Sequence, residues 1–132
     1  MKRDMDLIRK LLLDIESGTC TFELRADDVS RALMIDELGM DQDEVDRMEH
    51  HLQLLSDQGW VEFDSTDGVW IVGRITWAGH DFIDTVRDDE IWALTKSGVS
   101  KARGFTFDLV AALAKGLLRN KIEQHTGVKI DL

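Results

Sequence analysis

Apolar residues recur near the start of the chain with the spacing of an amphipathic helix. Four of them fall at i, i+3, i+4 and i+7: Ile8, Leu11, Leu12 and Ile15. This spacing places the four side chains on one face and therefore predicts a helix over about residues 4–17. Asp4 or Asp6 can accept hydrogen bonds from the first amides, and Gly18 can end the helix.

The middle of the chain contains one ambiguous segment between two clear ones. Residues 19–24 are rich in strand formers and predict a short strand. Residues 27–38 admit either a helix capped by Asp27 or a short strand over 33–38, and we favour the helix. A second apolar stripe then predicts a helix over about 42–58, ended by Gly59. Its members are Val45, Met48, Leu52 and Leu55.

A hairpin and two more helices are predicted after this point. Residues 60–63 and 69–76 are strand-forming, and the Asp67-Gly68 pair between them favours a tight turn. A helix carrying Phe82, Ile83, Val86 and Trp92 follows. Residues 96–104 are interpreted as a flexible basic connector. The last helix spans about 106–125 and has one apolar face, formed by Val110, Leu113, Ala114 and Leu117.

This order of elements predicts the fold class. A helix, a strand, two helices joined by a glycine-containing turn and a hairpin follow one another as in a winged helix. We therefore expect an α+β, mostly helical protein: a winged helix-turn-helix with a two-stranded wing and an appended C-terminal helix. The expected divisions are 1–95 for the winged-helix domain, 96–104 for the connector and 105–132 for a helix that packs or dimerises.

Charge adds an asymmetry to this picture. The chain has 132 residues and a formal net charge of −10. Residues 1–90 hold 23 acidic and 9 basic side chains, whereas residues 91–132 hold 3 acidic and 7 basic ones. A negative surface disfavours non-specific attraction to nucleic acid and to anionic membranes. Any functional interpretation has to account for an acidic first part and a basic last part.

The composition excludes several classes of site and setting. Cys20 is the only cysteine, which rules out an internal disulfide and fits a reducing compartment. No apolar run approaches the roughly 20 residues of a membrane-spanning helix, and the first residues turn acidic where a signal peptide is apolar. We therefore expect a cytoplasmic protein that does not enter a membrane.

No catalytic or metal-binding pattern stands out. His50 and His51 are adjacent, so their side chains point about 100° apart on a helix and cannot share a ligand in the way that an i, i+4 pair does. We expect His51 at the edge of the core and His50 in solvent. His80 and Asp81 near a helix start show no convergence on a pocket. The lysine- and glycine-containing stretches lack the spacing of a phosphate loop. We expect a protein with no enzymatic activity, no metal and no cofactor.

Three stretches resemble known proteins. The segments HHLQLLSDQGWVEF and GRITWAGHDFID, separated by an Asp-Gly turn, resemble the recognition helix, wing and next helix of bacterial winged-helix regulators. MKRDMDLIRKLLLDIE at residues 1–16 and TWAGHDFIDTVRDDEIWALTK at residues 76–96 are similar to small bacterial and prophage proteins of domain-of-unknown-function family 2513. This resemblance implies a winged-helix fold and a mobile-element setting, and the family has no assigned activity.

The helix over 42–58 would enter the DNA groove in a DNA-binding winged helix. It carries one arginine against five acidic residues, and phosphates would repel such a face. We therefore expect contact with a protein partner, with DNA binding disfavoured. We expect Trp60 and Trp77 in the core and Trp70 exposed near the wing. The candidate partner surface combines the acidic face of this helix with Trp70. Its residues are Asp46, Glu49, His50, Gln53 and Trp70.

The C-terminal third leaves two alternatives open. Its apolar stripe is either core packing or the seam of a homodimer formed by Val110, Leu113 and Leu117, and we favour a homodimer. The alternative function is a DNA-binding regulator that uses the basic residues of this third. Those candidates are Lys96, Lys101, Arg103, Lys115 and Arg119.

Overall fold

A computed structural model describes residues 1–26, 39–101 and 106–129. The chain forms two compact units, Met1–His80 and Asp81–Leu132. This division falls earlier in the chain than the predicted domain limit at residue 95. Residues 27–38, for which a helix and a strand were the alternatives, lie outside the described residues.

Unit 1 alternates helices and strands. Its elements are helix α1 (Met5–Glu16), strands β1 (Thr21–Glu23), β2 (Arg25–Ala26) and β3 (Gly39–Met40), helix α2 (Gln42–Asp57), and strands β4 (Val61–Thr66) and β5 (Val69–Ile75). Helix α3 (Trp77–Val86) begins at the end of this unit. The predicted helices over 4–17 and 42–58 are therefore confirmed, with ends that differ by at most one residue. The predicted hairpin is confirmed as well, and its first strand runs three residues further than the predicted 60–63.

The sheet of unit 1 is held together by β5. Strand β5 pairs antiparallel with both β1 and β4, which gives the order β1-β5-β4, while β2 and β3 form a separate parallel pair. Asp67 and Gly68 both have positive φ, 51° and 78°, as a two-residue type I′ turn requires. Gly68 is further constrained because an added Cβ would lie 2.7 Å from the carbonyl oxygen of Leu24.

The core of unit 1 uses the predicted apolar stripes. Most of their members are buried, and Met48 is half-buried. The buried members of the two stripes are Ile8, Leu11, Leu12, Ile15, Val45, Leu52 and Leu55, and the described core of unit 1 also contains Met5, Leu24, Trp60, Val61 and Trp70. Each fully buried leucine contributes about 1.5–3 kcal/mol to folding through the removal of its surface from water. This burial fixes which face of α2 is turned outwards.

Unit 2 contains most of α3 together with α4 (Asp89–Lys101) and α5 (Phe107–Thr126). The single helix predicted to carry both Phe82 and Trp92 is wrong, because the chain breaks after Val86. The Asp88 carboxylate accepts a hydrogen bond from the Ile91 amide at 3.0 Å and so starts a new helix. The connector predicted over 96–104 is also wrong as far as Lys101, since these residues complete α4 and bury Val99. Residues 102–104 lie outside the described residues.

The last helix is capped at both ends. Thr106 accepts a hydrogen bond from the Leu109 amide, and Gly127 adopts the left-handed conformation that ends the helix. The protein is therefore α+β and mostly helical, with a three-stranded antiparallel sheet, as the pattern of elements predicts. The winged helix-turn-helix interpretation stays a prediction, because the first helix of that motif was placed over 27–38.

Candidate protein-contact surface

Helix α2 exposes an acidic face because its apolar stripe faces the core. Asp41 caps the helix through the Asp43 amide, and the first turn adds further carboxylates. Asp46 and Gln53 are exposed and make hydrogen bonds one turn along the helix, Asp46 from the Gln42 amide group and Gln53 to Asp57, both at 2.9 Å. These bonds orient the side chains but leave the face negative.

The one cation of α2 is already engaged. The Arg47 guanidinium forms an ion pair with the carboxylate of Asp4 at the start of α1. The other oxygen of the same carboxylate accepts the amide hydrogens of Asp6 and Leu7, at 3.0 and 3.3 Å, and caps α1. Because Arg47 is turned towards Asp4, the outer face of α2 gains little positive charge from it.

His51 completes this junction between α1 and α2. Its ring is fully buried, with Nδ1 2.7 Å from the carbonyl oxygen of Arg47 and Nε2 accepting the amide hydrogen of Asp4 at 2.9 Å. Both contacts require a neutral ring protonated at Nδ1. Burial is the main cause that lowers the pKa of His51 below its ordinary 6.5, with smaller lowering by the neighbouring His50 and Arg47. Predicted at the edge of the core, this histidine is in fact a structural element inside it.

The other members of the predicted partner surface differ in exposure. Glu49 is half-buried, and His50, expected in solvent, is half-buried as well. The His50 ring packs edge-on against His51 with centroids 5.3 Å apart, and its Nε2 atom is buried without a hydrogen-bond partner in the described part of the chain. Asp46 and Gln53 therefore form the accessible part of this face.

The hairpin also lacks an available cation. Arg74, the only basic residue between 61 and 75, lies opposite Glu62 in the strand register. Two hydrogen bonds of 2.9 Å join the guanidinium to both oxygens of the Glu62 carboxylate. These hydrogen bonds lower the pKa of Glu62 and raise the pKa of Arg74. A phosphate approaching this hairpin would meet a paired guanidinium.

The exposure of Trp70 and Trp77 is the reverse of the prediction. Trp70 is only 8% exposed, because its position in β5 faces inwards and its ring packs edge-on against Phe63 at 5.4 Å. The neighbouring Ile71 faces outwards instead. Trp77, expected in the core, is 89% exposed at the first residue of α3. Trp70 is thus wrong as an exposed contact residue, and Trp77 is the exposed tryptophan of the described chain.

The position of Trp77 is fixed by the residues around it. The Thr76 amide donates to the Trp60 carbonyl at 2.9 Å, and the Thr76 hydroxyl donates to the carbonyl of Gly59 just after α2. Gly79 lies against the same turn, since an added Cβ would be 2.2 Å from the Trp60 oxygen. The first turn of α3 is therefore anchored beside the end of α2, with the Trp77 indole in solvent.

The predicted dimer seam is used within the chain. Val110 is fully buried, and a Cβ added to Gly98 of α4 would lie 2.5 Å from Leu113 Cδ2. Val110 is therefore wrong as an interface residue, because α4 and α5 already pack there. Leu117 is half-buried. A homodimer stays a prediction, and so does a contribution of Leu113 and Leu117 to its seam.

The described basic residues of the alternative function lie on two helices. Lys96 and Lys101 lie on α4, Lys115 and Arg119 lie on α5, and Arg103 is outside the described residues. Arg119 is 3.9 Å from Glu123, and the neighbouring Lys121 is bound at 2.5 Å by the Asp88 carboxylate. DNA binding by these basic residues stays a prediction.

Sequence reasoning missed two features of this surface. The role of Asp4 in joining α1 to α2 depends on a contact across 47 residues, which no local pattern reveals. The exposure of Trp77 depends on which side of α3 meets the Gly59–Trp60 turn. The small residues Ala78 and Gly79 were the available signal, since glycine in a helix often marks a close approach.

The described residues lack two further kinds of feature. No helix there is long and apolar enough to cross a membrane. No three histidine, cysteine, aspartate or glutamate side chains in that part of the chain come together as a possible metal site.

Comparison with known proteins places the chain among relatives without an assigned role. A model of the family described as "Hypothetical protein (DUF2513)" matches residues 2–106. An uncharacterized protein of Haemophilus influenzae is 31% identical over 124 residues, which cover 89% of this chain and 96% of the relative. No solved structure matches the chain.

Proposed function

The chain belongs to the DUF2513 family, to which no activity is assigned, and from the geometry of unit 1 we propose that it is a non-enzymatic accessory or regulatory protein. It acts by contacting another protein through a winged-helix module. The observation that carries this proposal is the exposed acidic face of α2, whose single arginine is paired with Asp4.

The strand order supports the winged-helix part of the proposal. The first strand of unit 1 pairs with the last one, β5, and β4 forms the other edge after α2. A helix, a strand, a later helix and a hairpin returning to the first strand are the elements of that module. Only the helix expected over 27–38 is needed to complete the helix-turn-helix.

The charge distribution supports protein contact over groove binding. DNA presents one negative charge per roughly 1.7 Å of its axis, and proteins bind it by placing lysine and arginine against the phosphates. Helix α2 presents carboxylates there, and the cations of α2 and of the hairpin, Arg47 and Arg74, are held by Asp4 and Glu62. The chemistry of this face fits a basic protein surface.

Trp77 gives this surface an apolar anchor. A large aromatic side chain that is almost fully exposed loses its contact with water when a partner covers it, and tryptophan is the residue most enriched at energetic centres of interfaces. It lies beside the end of α2, because Thr76 is bonded to the Gly59–Trp60 turn. The proposed contact surface therefore consists of Asp46, Glu49, Gln53 and Trp77.

Quantitative binding with variants tests the proposal. The tagged protein captures its partner from a lysate of the organism that encodes it, and the purified partner is then titrated at low and moderate salt. We expect about tenfold weaker binding for the double variant Asp46→Asn/Glu49→Gln, and a loss at least as large for Trp77→Ala. Two matched controls should retain binding. Asp64→Asn/Asp108→Asn removes the same amount of negative charge, and Ile71→Ala shortens an exposed apolar side chain, both outside the proposed contact surface.

Two outcomes contradict the proposal. One is a partner whose affinity is the same for the acidic double variant, for Trp77→Ala and for the controls. The other is saturable binding of duplex DNA from the upstream region of the gene, with affinity that falls steeply as salt is added.

A further inference from the structure

A cleft in unit 2 has the chemistry of a small-molecule site. Residues of α3 and α5 enclose about 730 Å³, a volume within the range of ligand pockets. The lining residues are Asp81, Thr85, Ala112, Lys115, Gly116 and Arg119. All six belong to unit 2.

The floor of the cleft is open because of small residues on α5. Ala112 and Gly116 stand one helical turn apart, and a Cβ added to Gly116 would meet nothing within 4 Å. On α3, Thr85 is buried, and its hydroxyl donates to the Asp81 carbonyl at 2.8 Å, which leaves its oxygen able to accept a hydrogen bond. The small residues leave room for a ligand against the α5 backbone.

One wall of the cleft carries positive groups with unused donors. Lys115 and Arg119 lie one turn apart on α5, and no ion pair within 4 Å engages Lys115 in the described chain. The Arg119 Nε is buried and donates no hydrogen bond there, since the nearest carboxylate oxygen, of Glu123, is 3.9 Å away. The Nε atom itself is covered, whereas the Arg119 side chain is 40% exposed, so the donors open to an acceptor in the cleft are the outer nitrogens of the guanidinium and the Lys115 ammonium group.

The opposite wall carries a negative group. The Asp81 carboxylate lies on α3 and has no cationic partner within 4 Å in the described residues. It would repel a phosphate or any other ligand that is only anionic, and it can accept hydrogen bonds from an ammonium group. The two walls therefore select a ligand that bears both charges.

We propose that this cleft binds a free α-amino acid or a short peptide, with the carboxylate against Lys115 and Arg119 and the ammonium group against Asp81. Bidentate contact with a carboxylate is the geometry that a guanidinium favours. The open floor at Ala112 and Gly116 accommodates the ligand side chain. The net charge of unit 2 is zero, with eight acidic and eight basic residues, so the selection arises from the local arrangement.

Calorimetric titration of the full chain tests this site. The probes are the common α-amino acids one at a time and a dipeptide, with sodium acetate, inorganic phosphate and ethylamine as compounds that carry one kind of charge only. We expect at least one amino acid or the dipeptide to bind in the micromolar to low millimolar range. The compounds with one kind of charge should bind at least tenfold more weakly.

Variants assign the binding to the cleft. Arg119→Gln, Lys115→Gln and Asp81→Asn should each weaken the ligand at least tenfold, while Lys129→Gln, outside the cleft, leaves it unchanged. Circular dichroism of each variant verifies that the fold is retained. The proposal is overturned if no zwitterionic probe binds at 10 mM, if phosphate or acetate binds as well as the amino acid, or if the folded cleft variants bind with unchanged affinity.

Discussion

A glycine in the first turn of α3 allows the close approach that positions Trp77. At Gly79 an added Cβ would lie 2.2 Å from the Trp60 carbonyl oxygen and 2.8 Å from Ile75 Cγ2. That oxygen already accepts hydrogen bonds from the amide and the hydroxyl of Thr76, at 2.9 and 3.2 Å. The backbone on both sides of the contact is therefore fixed, and we predict that Gly79→Ala destabilises unit 1.

The magnitude follows from two opposing effects. Alanine is more favourable than glycine inside a helix by about 1 kcal/mol. Against this, the new Cβ must move about 1 Å or more from the carbonyl to reach an ordinary contact, and overpacking of this kind typically costs 1–3 kcal/mol. The contact is with backbone and is shorter than real Cβ contacts, so we expect a cost in the upper part of that range, about 2–3 kcal/mol, and a net loss of about 1–2 kcal/mol in the free energy of unfolding.

Gly116 provides a matched control in α5. An added Cβ meets nothing within 4 Å there, so Gly116→Ala should raise the free energy of unfolding by about 0.5–1 kcal/mol. Gly98→Ala should lie between the two, because its Cβ meets only the flexible end of Leu113. Urea unfolding followed by circular dichroism measures all three. If Gly79→Ala proves as stable as Gly116→Ala, the close approach at the Trp60 carbonyl is refuted.

Three further predictions follow from named contacts. Because folding lowers the pKa of His51, the stability due to its neutral ring is present above pH 6.5 and declines as pH falls below it. Urea unfolding between pH 5 and 8 should show this decline, and a decline of the same size in His51→Asn would contradict it. Trp77→Phe should remove most of the fluorescence that acrylamide quenches, since Trp60, Trp70 and Trp92 are buried; unchanged quenching would show that Trp77 is covered. Asp88→Ala should lower the thermal midpoint more than Lys121→Met, because it removes the cap of α4 as well as the ion pair with Lys121. Equal losses would mean that the cap contributes nothing.

Local periodicity was sufficient to predict α1 and α2. The stripes that begin at Ile8 and at Val45 each follow the 3.6-residue period without interruption, so one face is buried in any packing. The Asp67-Gly68 pair was equally informative, because few dipeptides adopt positive φ at both positions. These elements depend on neighbours in sequence, which explains why they were predictable.

The errors arose where tertiary contacts decide. Phe82 to Trp92 satisfied a helical pattern, yet Asp88 interrupts it by capping a new helix at Ile91. The serines and the glycine between Lys96 and Lys101 favour a connector in the sequence, whereas in the structure Gly98 lets Leu113 approach α4 closely. A glycine signals either a break or a close approach, and sequence alone does not distinguish the two.

The charge of the candidate surface could be predicted from the sequence, but the exposure of Trp70 and Trp77 could not. The acidity of α2 follows from composition once its buried face is known. Trp70 was expected near the solvent because it borders the turn, but strand alternation turns it inwards against Phe63. The exposure of Trp77 depends on the packing of the α3 start against the turn that follows α2.

Protection in the complex tests most directly whether α2 and Trp77 contact the partner. Amide hydrogen exchange and hydroxyl-radical labelling are compared for the free protein and for its complex with the captured partner. We expect slower exchange over residues 42–57 and reduced oxidation of Trp77, with residues 89–129 unchanged. Protection confined to residues 89–129, with α2 and Trp77 labelled as fast as in the free protein, would contradict it.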